Sequence, residues 1–171
     1  MGKGRRLEVL SIIKRKEALG FLAHRMSEER FTQTRSEMEA MIQIALGGMV
    51  AEELFFGESG SGPAGDLIAA TNAAVEMVGS MGLGGSLASF RALDPGAFGG
   101  NLVAQVMADE RGRDAVERLL AEQKAHVVEL MGRHRHLVEA LREALLERHE
   151  LIDTEIIEVL RDAEAARIGV T

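Results

Sequence analysis

The segment from Thr34 to Gly57 constrains the fold of this chain most strongly, because it carries the signals of one long amphipathic helix. Thr34 and Glu37 have the spacing of a capping box, in which each side chain binds the backbone amide of the other residue. Gly57 stands where a glycine commonly ends a helix. Apolar residues recur between these signals at three- and four-residue steps, which predicts one buried face. Its members are Met38, Met41, Ile42, Ala45, Leu46, Met49, Val50 and Leu54.

Two adjacent glycines, Gly47 and Gly48, fall in the middle of this predicted helix. Each glycine costs a helix interior about 1 kcal/mol relative to alanine. A close approach by another helix would offset that cost. The pair therefore predicts tight helix packing at this point of the chain.

The other elements are predicted from the same kinds of signal. Aliphatic and β-branched residues predict a pair of strands at Leu7–Arg15 and Ala18–Met26, with Glu17 and Gly20 in the turn. A helix at Ala64–Met81 is expected to bury Leu67, Ile68, Thr71, Ala74, Val75 and Val78. Gly79–Gly100 is predicted to be a glycine-rich loop, with mobility as one possibility.

Three helices are predicted after that loop. The first starts at Val103 or Asp109 and ends at Met131, with Val116, Leu119, Leu120, Val127 and Leu130 inside. The second covers Arg135–His149 and uses Leu137, Val138, Leu141 and Leu145. Asp153 or Thr154 caps the third, which buries Ile156, Ile157 and Leu160. The fold class is therefore mainly α, with a small antiparallel strand pair near the N-terminus, in a single domain over residues 1–171.

Composition excludes several classes of function. The chain has no cysteine, which excludes disulfides, thiolate nucleophiles and cysteine-rich zinc sites. A net charge of −7 and the lack of Trp and Tyr argue against a nucleic-acid partner. No apolar run reaches the roughly 18 residues of a membrane span, so this chain by itself is expected to be soluble.

Three acidic residues are the first candidates for a site. Asp66 lies at the start of the second predicted helix, where the free backbone amides and the helix dipole stabilise a negative charge. Taken alone, Asp66 is better explained as a capping residue than as a ligand. Glu52 and Glu53 lie near the end of the first helix, where negative charge opposes the dipole. They are equally well explained as solvated carboxylates and as groups with a function.

The histidines form no familiar catalytic pattern, since the sequence lacks a His-Glu-x-x-His run. His134 and His136 are two residues apart, so on a helix they point away from each other and one zinc cannot easily use both. His126 and His136 are each followed three residues later by a glutamate, the reverse of the order in di-metal bundles. A metal-binding bundle stays open as an alternative, although surface charge pairing explains these pairs better.

The motifs taken together resemble the peptidase domain of the FtsH family of membrane-anchored, ATP-dependent zinc metalloproteases. The central stretch is LGGMVAEELFFGESGSGPAGDLIAATNAAVEMVGSMGL, which is similar to the family pattern of Gly-Gly-x-x-Ala-Glu-Glu, Phe-Gly and Asp-Leu-x-x-Ala-Thr. The matching residues are Gly47, Gly48, Ala51, Glu52, Glu53, Phe56, Gly57, Asp66, Leu67, Ala70 and Thr71. The flanks EVLSIIKRKEALGFL and LLERHELIDTEIIEVL are also similar to the family, so the likeness spans roughly residues 7 to 162.

The resemblance implies a zinc site and its setting. In the family, two histidines of His-Glu-x-x-His and one aspartate hold the zinc, and Asp66 matches that aspartate. Glu52 matches a residue expected near the zinc, supporting a histidine ligand. The resemblance also implies proteolysis of membrane and misfolded proteins. It further implies an AAA ATPase module in the same parent chain, a homo-hexamer, a position on the cytoplasmic face of a membrane-anchored parent, and an edge strand, ALGFLAH, that pairs with the substrate.

The sequence departs from the family in the part that carries the catalysis. The His-Glu-x-x-His helix is expected before Leu7, and Gly65 stands where the family has asparagine. We therefore expect that no catalytic residue lies in this chain, that it is a fragment of a longer protease, and that alone it neither cleaves peptides nor binds zinc tightly. The alternative is a natural, non-catalytic helical domain that kept the fold and binds partner proteins through its acidic, Met-rich surface.

Overall fold

A computed structural model describes residues 5–14, 21–26, 32–93 and 101–169 of the chain. Over these residues the fold is mostly helical, with a small antiparallel sheet, which confirms the predicted fold class. The elements in chain order are β1 Arg5–Ser11, β2 Phe21–Met26, α1 Arg35–Phe56, α2 Ala64–Gly79, a short 3-10 turn at Phe90–Leu93, α3 Leu102–Ala108, α4 Glu110–Arg133, α5 Arg135–Arg148, β3 Glu150–Ile152 and α6 Thr154–Gly169.

The chain divides into two compact units. The first unit is residues 32–130, and the second combines the described residues on either side of that range. Within the described ranges, none of the helices combines the length and the apolar character needed to cross a bilayer.

Helix α1 follows its sequence signals closely. The Glu37 amide donates to Thr34 Oγ1 at 3.3 Å, and the Thr34 amide donates to Glu37 Oε2 at 2.8 Å, so the capping box is present. Gly57 has φ of 82° and donates its amide hydrogen to the carbonyl of Glu53, which ends the helix as predicted. Met38, Ile42, Leu46 and Val50 are buried, which confirms the predicted face.

Helix α2 buries part of its predicted face, since Ala74, Val75 and Val78 are buried as expected. Ala70, Ala74, Val75, Met77 and Val78 are buried in the same core cluster as Met38, Ile42 and Leu46 of α1. The prediction was wrong for Leu67 and Ile68, which are 41% and 63% exposed.

The predicted long helix after the glycine-rich loop is two helices. Asn101 caps α3 by accepting the Ala104 amide at 3.1 Å, and Asp109 Oδ2 accepts the Gly112 amide at 2.7 Å at the start of α4. Both predicted starts, near Val103 and Asp109, are therefore used. Val116, Leu119 and Val127 are buried as expected, whereas Leu130 is 52% exposed, which corrects its predicted burial.

The predicted loop at Gly79–Gly100 is only partly covered by the described residues. Ser80 to Leu93 is irregular apart from the 3-10 turn, and residues 94–100 lie outside the described ranges. Arg91 Nη2 lies 2.7 Å from Glu76 Oε1, so an ion pair ties this segment back to α2.

The second unit contains the sheet and the last two helices. The strand order is β2-β1-β3, with both pairings antiparallel, so β2 lies at an edge. The predicted strand pair is confirmed with shorter bounds, and the predicted turn at Glu17 and Gly20 lies outside the described residues. Leu145, Leu151 and Ile156 form the core here. Ile157 is 46% exposed, so its predicted burial was wrong.

Candidate functional site around Asp66

Asp66 is the third residue of α2, and its side chain is exposed. Pro63 occupies the N-cap position and makes no side-chain capping bond. Among the residues that the structure describes, the Asp66 carboxylate has no hydrogen-bond or ion-pair partner, so it is not used to cap its own helix. The structure therefore shows no capping hydrogen bond from Asp66, although its position in the first turn is the one that the helix dipole favours.

The Asp66 carboxylate lies beside Gly48 in the middle of α1. A Cβ atom built on Gly48 would be 3.7 Å from Asp66 Oδ2. Apart from the neighbouring residues and backbone of α1 itself, it would meet no other described atom within 4 Å. Gly48 itself is exposed. The Asp66 carboxylate therefore lies over a glycine of α1, where there is no side chain to contact it.

Glu52 follows Gly48 by one helical turn, which places both residues on the same side of α1. Its Oε2 atom accepts the Gly60 amide hydrogen at 2.6 Å and the Ser59 hydroxyl hydrogen at 3.3 Å. Cβ atoms built on Gly60 and Gly62 would lie 3.6 Å from Oε2 and 3.5 Å from Oε1. The Glu52 carboxylate is therefore held against the loop that connects α1 to α2.

Glu53 has a different partner. Its Oε1 atom lies 2.7 Å from Lys124 Nζ, which ties the end of α1 to α4. The two neighbouring acids thus have separate roles in the unit, and neither is simply a solvated carboxylate. Sequence reasoning found both acids but missed Ser59 and Gly60, because a Gly-Ser loop has no residue pattern that shows which backbone amide will meet a carboxylate.

The histidines whose side chains the structure describes do not assemble into a metal site. His126 Nδ1 lies 3.4 Å from Gln123 Oε1, and His136 Nε2 lies 2.7 Å from Glu164 Oε2. That hydrogen bond holds the pKa of the Glu164 carboxyl below its ordinary value. The rings of His134 and His136 have centroids 6.3 Å apart and are tilted by 39°. Across the described part of the chain, no three His, Cys, Asp or Glu side chains converge on a point that could hold a metal ion.

Asp66 can nevertheless fill one position in a zinc site. A hydrolytic zinc takes three protein ligands and keeps an open position for water. A carboxylate that is exposed, on a regular helix and without a described partner has the chemistry of one such ligand. The other two ligands are not found among the described residues.

Comparison with known proteins places these features in a family context. The sequence model of Peptidase family M41 matches residues 1–160. The ATP-dependent zinc metalloprotease FtsH 4 of Sphaerobacter thermophilus is 32% identical over 162 residues, covering 90% of this chain and 24% of the relative. FtsH 1 of Rhodopirellula baltica is 29% identical over 167 residues, covering 94% and 25%. FtsH of Methylococcus capsulatus is 32% identical over 174 residues, covering 94% and 26%. The chain spans about a quarter of the length of these relatives.

Proposed function

The chain belongs to peptidase family M41, and on that premise we propose that it is part of an ATP-dependent zinc metalloprotease that degrades membrane and misfolded proteins. The observation that best supports the proposal is the placement of Asp66. A carboxylate with no described partner lies next to Gly48, the second glycine of the Gly-Gly-x-x-Ala-Glu-Glu motif. The resemblance of the Asp-Leu-x-x-Ala-Thr motif and this local geometry both support the assignment of Asp66.

In the proposed function, Asp66 is the carboxylate ligand that this chain contributes to the zinc. When bound, the zinc would lower the pKa of a water molecule and polarise the peptide carbonyl. Asp66 presents its carboxylate from the first turn of α2, where the helix dipole favours a negative charge.

Strand β2 is the proposed substrate-binding edge. It pairs with β1 on one side only, and its other side is not paired with another described strand. An extended peptide can add to such an edge through main-chain hydrogen bonds, which depend little on the peptide's side chains. This mode of binding suits a protease that acts on many unfolded proteins.

The 171 residues contain no His-Glu-x-x-His run. We therefore propose that the histidine ligands and the general base belong to a segment of the parent protein outside this sequence, and that this chain alone is inactive and binds zinc weakly. The parent would also supply an AAA ATPase module. It would assemble as a homo-hexamer, and its peptidase domain would lie on the cytoplasmic face of a membrane.

A zinc measurement tests the assignment of Asp66. A segment that carries a His-Glu-x-x-His motif is joined upstream of this chain, and bound zinc is measured by elemental analysis and competitive titration. We expect about one zinc per chain, and Asp66→Ala should lower the affinity by at least 10- to 100-fold. Glu53→Gln is the matched control, because Glu53 pairs with Lys124 and should leave zinc binding unchanged. Unchanged zinc affinity in Asp66→Ala would rule out the ligand assignment.

The alternative is a non-catalytic helical interaction domain. Leu67 and Ile68, at the start of α2, are 41% and 63% exposed, and Phe56 at the end of α1 is 79% exposed. If these side chains form one contiguous patch, that patch would suit a surface that binds another protein. This alternative predicts that the joined protein takes up no zinc and that an intact gene for this chain encodes no His-Glu-x-x-His upstream.

A further inference from the structure

We propose that Glu52 is a positioning residue, which clasps the loop between α1 and α2 and thereby holds Asp66 beside Gly48. The clasp is the pair of hydrogen bonds that Glu52 accepts from Ser59 and Gly60. Its consequence for metal binding rests on the proposed function, whereas the clasp itself rests on the geometry of the metal-free chain.

The bond to Gly60 is the stronger half of the clasp. A backbone amide 2.6 Å from a carboxylate oxygen makes a charge-assisted hydrogen bond, which is shorter and stronger than a bond between neutral groups. The Ser59 hydroxyl donates to the same oxygen at 3.3 Å. The positions of Gly60 and Gly62, one near each carboxylate oxygen, show that the side chain spans the loop rather than touching one end of it.

The clasp acts on Asp66 through a very short piece of chain. The Ala64 amide donates to the Ser61 carbonyl at 3.3 Å, and the Leu67 amide donates to the Pro63 carbonyl at 2.9 Å, so α2 begins directly after the clasped residues. Pro63 is buried and has a fixed φ, which leaves little freedom at the junction. Fixing residues 59 and 60 therefore restrains the first turn of α2, which carries Asp66.

Asp66 depends on this restraint because its carboxylate has no partner of its own among the described residues. A metal ligand works only when its supporting contacts hold it close to the productive geometry. Gly48 and Glu52 lie one turn apart on α1, so the same helix face both receives Asp66 and anchors the loop. This assigns Glu52 a role through the loop, which differs from the direct support of a histidine implied by the family resemblance.

A crosslinking experiment on the 171-residue chain tests the proposal. Because the chain has no cysteine, the double variant Gly48→Cys, Asp66→Cys has a single possible intramolecular disulfide, and its rate of formation reports how often the two positions meet. We expect Glu52→Ala to slow the crosslink about 5-fold or more. Glu52→Gln should keep most of the rate, since its amide oxygen still accepts the Gly60 amide. Glu53→Ala is the matched control and should have the wild-type rate.

Hydrogen exchange of the Gly60 amide gives a second readout without cysteines. Loss of a charge-assisted bond should speed its exchange by about 10- to 100-fold in Glu52→Ala. Circular dichroism is recorded for each variant, and if Glu52→Ala fails to fold, Glu52→Asp replaces it, because the shorter side chain keeps the charge but reaches the loop less well. Wild-type crosslinking together with wild-type Gly60 exchange in a folded Glu52 variant would overturn the proposal. Failure of Asp66 to bind zinc would leave both readouts unchanged, so the two proposals fail separately.

Discussion

Gly48 should be a position where stability and function conflict. It lies in the middle of α1 and is exposed, and a Cβ there would lie 3.7 Å from Asp66 Oδ2, an ordinary van der Waals distance. Alanine therefore fits without strain. Since glycine in an exposed helix interior costs about 0.8 to 1 kcal/mol relative to alanine, Gly48→Ala should raise the free energy of unfolding by about 0.5 to 1 kcal/mol.

Gly79 provides the matched control, because it is also a helical glycine but has no room for a methyl group. A Cβ on Gly79 would lie 2.5 Å from Val106 Cγ2 and 3.1 Å from Leu102 Cδ1. Val106 is fully buried and its side chain is short and branched, so it cannot move aside easily. Overpacking costs about 1 to 3 kcal/mol, which exceeds the gain in helix propensity, so Gly79→Ala should lower the free energy of unfolding by about 1 to 2 kcal/mol.

Urea denaturation followed by circular dichroism measures both variants against the wild type. The midpoints should move in opposite directions while the slopes stay equal. The same Gly48→Ala change in the zinc-binding, joined protein should lower zinc affinity, because the new methyl group lies against the Asp66 oxygen. A loss of more than about 1 kcal/mol in Gly48→Ala would refute the reasoning, since it would mean that the Gly48 surface is already occupied.

Three further predictions concern pairs and turns elsewhere in the chain. Glu53 and Lys124 are about one-third exposed, so a double-mutant cycle should give a coupling of only about 0.2 to 1 kcal/mol in thermal or urea unfolding. The hydrogen bond from His136 lowers the pKa of the Glu164 carboxyl below its ordinary value of 4.5. The bond therefore stabilises the fold above pH 4.5, and this contribution is lost as the pH falls through the lowered pKa. His136→Ala should weaken the dependence of the unfolding free energy on pH between about pH 5 and 3. His149 ends α5 with φ of 66°, so His149→Gly should raise the melting temperature by about 1 to 3 °C, and a lower melting temperature would contradict this account.

The sequence predicts α1 well because several independent signals agree there. The capping box at Thr34 and Glu37, the glycine at the end, and the spacing of the buried residues all indicate the same helix. The burial of α2 could not be predicted in the same way. Leu67 and Ile68 are more apolar than Ala70 and Ala74, yet both are exposed while the two alanines are buried. Hydrophobicity alone does not show which face the partner helix can approach.

Strand β3 escaped prediction for a different reason. It is three residues long, and it pairs with β1 from about 140 positions away in sequence. Such a short segment has too few residues for an alternating pattern to be recognised. Its existence depends on the partner strand and on the left-handed turn at His149, neither of which leaves a strong local signal.

The three carboxylates of the candidate site differ in their partners and in how well the sequence predicts their roles. Glu53 pairs with Lys124, and Glu52 accepts bonds from a loop, so both charges are satisfied within the unit. The local sequence makes Asp66 a candidate but favours a capping role, and only the family motif identifies it as a zinc ligand. In the structure, the Asp66 carboxylate makes no capping bond and has no partner among the described residues. A charge that water alone satisfies contributes little to folding, and we therefore propose that the Asp66 carboxylate serves to bind a metal ion.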